Sequence, residues 1–143
     1  MSIRQRQVVI ALLVVVGVAA AVLVLNPWHL QDAFDGPIDR GLNRLHAIGL
    51  PPILNVHAAE FGANIALFVP LGLLGALLAP RRLWWAVLLG LVAVSISIEL
   101  VQAWGLPYRR ASVRDVLGNS AGAALGVGLS LLVPRRSTAG SST

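Results

Sequence analysis

Phe61 to Trp104 reads FGANIALFVPLGLLGALLAPRRLWWAVLLGLVAVSISIELVQAW, two apolar runs on either side of a tight Pro80-Arg81-Arg82 turn. The first run extends from Phe61 to Ala79 and the second from Leu83 to Trp104. As helices rising about 1.5 Å per residue, each can cross about 30 Å of hydrocarbon. Two further runs of this kind flank the pair, Val8 to Leu25 before it and Val113 to Val133 after it. With 57% hydrophobic residues, 12% charged residues and a mean hydropathy of +0.79, the chain lacks the polar surface to clothe a water-soluble globule. The expected fold is all-α, an integral membrane bundle of four transmembrane helices. At 143 residues it is too short for a transporter of two repeated halves.

The spans divide the chain into a cytoplasmic N-terminus (1–7), a first span (8–25), an extracytoplasmic loop (26–60), a core of three spans (61–136) and a disordered cytoplasmic tail rich in Ser, Thr and Gly (137–143). Arg4 and Arg6 ahead of an uncharged run also suit a signal peptide, with Ala19-Ala20-Ala21 as a cleavage site. The length of the run and the interfacial Asn26-Pro27-Trp28 favour a retained span. Orientation follows arginine, which is enriched on the cytoplasmic side of membranes. Arg4 and Arg6, Arg81-Arg82 and Arg135-Arg136 place both termini inside. The 26–60 loop, with Asp32, Asp35, Asp39 and Glu60 against Arg40 and Arg44, then lies outside.

Within that loop, Pro37 to Gly49 sets Ile38, Leu42 and Leu45 at helical spacing, with Asp39, Arg40, Asn43 and Arg44 elsewhere on the wheel. The pattern predicts an amphipathic interfacial helix, started by Asp35 before Gly36-Pro37 and stopped by Gly49-Leu50-Pro51-Pro52. It is read as a structural surface helix or as a lid over a site.

The polar residues of the core come in pairs with helical spacing: Glu60 with Asn64, Glu99 with Gln102, and Asp115 with Asn119. The second and fourth spans begin outside and the third ends there, so all six are expected near one depth, facing the bundle interior. An acid in hydrocarbon costs roughly 2.5 to 3.5 kcal/mol even on the mild insertion scale. Glu99, between Ile98 and Leu100-Val101, therefore needs a partner or a proton. The short outer loop from Gly105 to Arg114 carries Arg109, Arg110 and Arg114 on the side where arginine is sparse. They suit an anionic ligand such as a lipid phosphate or pyrophosphate, or pairing with Glu60, Glu99 and Asp115.

Gly118, Gly122 and Gly126 allow close approach of another helix, either from the same chain or from a second copy in a homo-oligomer. Pro70 is expected to bend the second span. His57 sits one turn before Glu60, where a solvated side chain is the simplest reading, and no spacing of His29, His46 and His57 resembles a metal motif. Ser95, Ser97 and Ser112 have no His-acid pair nearby, so a serine nucleophile is unsupported. The chain has no cysteine, which excludes disulfides and thiolate sites, and its net charge of +5 is scattered in arginine pairs between spans, a poor match to nucleic-acid binding.

Three blocks in order, Glu60-x3-Asn64-x3-Phe68-x-Pro70-x-Gly72, Ser97-Ile98-Glu99-x2-Gln102 and Arg109-x5-Asp115-x3-Asn119-x2-Gly122-x3-Gly126, resemble the VanZ-like family over more than half of the chain. The resemblance implies a small polytopic protein of the bacterial cytoplasmic membrane, in a family whose founding member raises teicoplanin resistance. It carries the family's characteristic positions onto Glu60, Asn64, Glu99, Gln102, Arg109, Asp115 and Asn119. With Arg110 added, these are the expected ligand-binding residues for membrane lipids, an anionic head group or a lipid-linked cell-wall precursor, with no cofactor and no metal. A binding role is favoured over a catalytic one. For an enzyme acting on a lipid-linked or glycopeptide substrate, Glu99 and Asp115 are the acid and base candidates. A third reading is a structural or regulatory partner of another membrane protein.

Overall fold

A computed structural model describes residues 1–25, 30–49, 51, 55–105 and 112–134 of the chain. Five α-helices follow one another: α1 (Ile3–Leu25), α2 (Leu30–Ala47), α3 (Val56–Leu78), α4 (Trp84–Gly105) and α5 (Val113–Leu132), with a 3-10 turn at Arg81–Leu83. Among the described residues there is no strand. α1, α3, α4 and α5 are each long and apolar enough to cross a membrane, and α2 is not. The protein is an all-α, multi-pass membrane protein. Trp84 and Trp85 at one end of α4 and Trp104 at the other are exposed. About 30 Å of helix separates them, the spacing of aromatic belts at two bilayer interfaces.

α5 is the hub of the bundle: 39% of its span is buried, against 22% for α3, 17% for α4 and 6% for α1. Its glycines explain why. A Cβ on Gly122 would run into the Ile65 carbonyl, one on Gly126 into the Val69 carbonyl, and one on Gly72 of α3 into the Ala123 carbonyl. The two backbones touch directly. Lipid tails are as apolar as leucine, so helices in a membrane associate by packing and hydrogen bonds rather than by hydrophobic burial, and small residues permit the closest packing. Gly118, Gly122 and Gly126 thus meet α3 of their own chain; a second copy could use this face only by displacing α3. Phe68, Leu71 and Ala123 fill the centre, and α1 joins them through one stripe, Leu13, Val16 and Ala20.

The helix starts come from short polar side chains. The Asn55 side chain accepts the Ala58 amide at 3.1 Å and opens α3 five residues before the apolar run begins. α3 continues unbroken through Pro70. Beyond the far end of α3, the Arg81 guanidinium donates to the Leu131 carbonyl near the end of α5, where helix carbonyls lack amide partners and carry partial negative charge.

α2 departs from expectation at its start. The helix begins at Leu30 and passes through Asp35-Gly36-Pro37, which was expected to initiate it. Proline holds φ at a helical value, but it removes the hydrogen bond to the carbonyl four residues earlier and its ring crowds that carbonyl, so Pro37 is a costly residue inside α2. The end is as the sequence implies: Ile48 and Gly49 close the last turn, and Gly49 takes φ +108°, a conformation that side chains with a Cβ avoid. Arg109, Arg110, Arg135, Arg136 and the tail lie outside the described residues.

Candidate functional site

Where α3 begins, α4 ends and α5 begins, polar side chains from all three helices meet. Asn64 Nδ2 on α3 donates to Asp115 Oδ1 on α5 at 2.9 Å. Glu99 Oε2 on α4 accepts the Ser112 amide at the head of α5 at 2.7 Å. One turn deeper, Asn119 Nδ2 on α5 donates to Ser95 Oγ on α4 at 2.9 Å. Gln102 is buried with them, and Glu99, Gln102 and Asp115 take part in further polar contacts.

The head of α5 shows how the sequence builds this arrangement. Ser112-x-x-Asp115 has the spacing of a capping box, in which the first side chain binds the third amide and the acid reaches back to the first amide. The first half is present, because Ser112 Oγ accepts the Asp115 amide at 3.3 Å. The second half is handed to neighbouring helices: the Ser112 amide goes to Glu99, and Asp115 Oδ1 is taken by Asn64. The start of one helix is thereby bolted to two others. Both carboxyl groups lie at the N-terminal end of α5, where the helix dipole favours negative charge.

Depth separates the residues into layers. Asn64, Ser112 and Asp115 are half-buried. Glu99, Gln102, Asn119 and Ser95 beneath them are buried, at 6%, 4%, 4% and 0% exposure. Glu60 does not join them. Its carboxylate is hydrogen-bonded to His57 Nδ1 at 3.3 Å, and the pair stays exposed, with side-chain exposures of 41% and 70%. Asn64, Glu99, Gln102, Asp115 and Asn119 thus gather at one end of the bundle in two layers, and Glu60, a full turn nearer the helix end than Asn64, stays apart from them. Arg114 is exposed at the first turn of α5.

Asn119 is peculiar within the cluster. Its Oδ1 is buried and has no hydrogen-bond partner among the described residues. A buried amide oxygen left so is uncommon, because it forfeits a hydrogen bond it had in water. The arrangement can accept a donor at Asn119 and present carboxylate and carboxamide groups toward the bundle end. No group of three His, Asp or Glu side chains that could hold a metal occurs among the described residues.

Ser95 and Ser112 are members that sequence reasoning passed over, having weighed them only as nucleophiles. Ser95 stands four residues before Glu99 and so on its face; Ser112 stands three before Asp115 in cap spacing.

Neither the curated proteins nor the solved structures give a match to this chain. The family model for VanZ/LLP1 matches residues 8–134, which takes in all four spans and every member of the polar cluster. The match covers nearly the whole chain, and the chain belongs to the VanZ/LLP1 family.

Proposed function

We propose that this cell-envelope protein of VanZ type binds an anionic lipid head group, a phosphate or pyrophosphate carrier, at the end of the bundle where α3, α4 and α5 bring their polar residues together. In this reading it resides in the bacterial cytoplasmic membrane with both termini in the cytoplasm and the polar end outside, and binding there modulates glycopeptide susceptibility, teicoplanin included. Arg109 and Arg110 supply guanidinium groups for phosphate, and Asn64, Gln102 and Asn119 supply amide donors and acceptors around it. Glu99 and Asp115, which hold the Ser112 amide and Asn64, orient these groups. The observation that supports the reading is the convergence of carboxamide side chains from three helices, Asn64, Gln102 and Asn119, at one end of the bundle; the unpartnered Asn119 Oδ1 accepts rather than donates, so it suits a hydroxyl of the carrier and not its phosphate oxygens.

Native mass spectrometry of the full chain in mild detergent tests it. Arg109→Ala and Asn119→Leu are each expected to lower co-purified anionic lipid; unchanged lipid content in both overturns the proposal. The mutual pairing of Asn64 with Asp115 and of Glu99 with Ser112 favours a second reading, a polar clasp that only holds the spans together. In that case both variants alter thermal stability or nothing, and lipid content follows neither.

A further inference from the structure

α2 is the described helix that does not span the membrane, and its packing against the bundle is mainly with α3. Residues 26–29 separate it from α1 and residues 48–55 from α3. At roughly 3.5 Å per residue, these tethers hold it within the interfacial layer beside the spans. α2 divides by charge: Asp32, Asp35 and Asp39 fall in its first ten residues, and Arg40, Arg44 and His46 follow with no further acid.

Arg40 and Arg44 stand one turn apart on one face. With Pro37 and Gly41 they line an open groove of about 250 Å³. Gly41 adds no side chain, so helix backbone floors the space between the two guanidinium groups. Arg40 Nε donates to the Gly36 carbonyl at 3.0 Å, which fixes that guanidinium against the helix. Arg44 is exposed and has no hydrogen-bond or ion-pair partner among the described residues. Beside the groove, Leu45 and Ile48 are 45% and 81% exposed. They stack one turn beyond Gly41 and Arg44 respectively.

An open basic groove bordered by exposed apolar side chains matches one surroundings, the boundary where acyl chains meet phosphate. There leucine and isoleucine enter hydrocarbon while guanidinium groups take phosphate oxygens in paired hydrogen bonds. We propose that Arg40 and Arg44 form a phosphate-binding groove that docks α2 on the anionic lipid head groups next to the bundle. This docking is separate from the polar cluster and does not depend on what that cluster binds. An arginine near an anionic lipid surface favours the docked state roughly fivefold, so the pair favours it roughly 25-fold.

The absence of cysteine makes a clean probe available. Ala47→Cys, at an exposed position, carries a fluorophore in the full chain reconstituted into vesicles of phosphatidylcholine alone or mixed with an equal amount of phosphatidylglycerol. The reading is quenching by a lipid bearing its quencher on the acyl chain. Quenching is expected to be greater in the mixed vesicles, and R40Q/R44Q is expected to remove that gain. R44Q alone, which disturbs no contact among the described residues, is expected to lower the docked-to-undocked ratio roughly fivefold. Equal quenching in the two vesicle types overturns the proposal, as does a gain that survives R40Q/R44Q. Inorganic phosphate reproducing the gain in phosphatidylcholine vesicles also overturns it, because the groove then serves a free anion rather than the membrane.

Discussion

Glu99 shows what a single buried acid can do in a membrane protein. Its oxygen replaces the acceptor that the first amide of α5 lacks, and the two groups remove each other's desolvation cost. Glu99→Gln keeps a carbonyl oxygen in reach of the Ser112 amide and is expected to leave the fold intact. Glu99→Leu orphans that amide and is expected to cost about 1 to 3 kcal/mol in thermal or denaturant unfolding of the solubilised protein. Ser95 and Asn119 give a second test at this scale. Ser95→Ala removes the acceptor of Asn119 Nδ2 and is expected to destabilise by about 0.6 to 1.7 kcal/mol. Adding Asn119→Leu removes the stranded amide, and the double variant is expected to recover most of the loss. A double variant less stable than Ser95→Ala would show that Asn119 has a partner worth more than Ser95.

Among the elements, α5 is held by contacts of two kinds along its length, a polar head and a glycine seam. The seam makes a sharp contrast available between glycines of one helix. Gly122→Val places its Cβ against the Ile65 backbone, which cannot yield as a side chain would, and is expected to cost at least about 1 to 3 kcal/mol. Gly128 has nothing within 4 Å of where a Cβ would sit, so Gly128→Ala is expected to be neutral or to stabilise by up to about 1 kcal/mol. Thermal melts of both variants in one detergent decide the matter, and equal melting temperatures would refute the seam. Glycine spacing announced that some helix comes close, but α3 as the neighbour was not legible in it, because spacing defines a face and not what meets it. The start of α2 was misjudged for a related reason: Asp35-Gly36-Pro37 has the chemistry of a helix start, and only the helix formed upstream of it overrides that local preference.

For the whole molecule, connectivity does most of the work. Four spans and a non-spanning α2 put the N-terminus of α1 at the membrane face that carries the Arg81–Leu83 turn, and the polar head of α5 at the opposite face. The arginines Arg4, Arg6, Arg81 and Arg82 gather at the first of these faces, and arginine is enriched on the cytoplasmic side of membranes. A membrane-impermeant maleimide is therefore expected to label Ala47→Cys in intact cells after removal of any outer wall barrier, and Ser2→Cys only after the membrane is opened. The reverse pattern would invert the topology and put the polar end on the cytoplasmic side.

The span pattern and the family were open to reading from residue order, because hydrophobic length and helical spacing are local quantities that survive without knowledge of neighbours. Glu99, Gln102, Asp115 and Asn119 were recognisable as a set on the same grounds, since acids and amides in apolar runs must turn inward. Pairing is a different kind of fact. That Glu99 serves the Ser112 amide, that Asn64 takes Asp115, and that Glu60 stays outside with His57 all depend on how three helices are rotated and how far each is shifted along its axis. Rotation and shift come from backbone contact between α3 and α5 at Gly72, Gly122 and Gly126, a property of two surfaces together that neither segment carries alone.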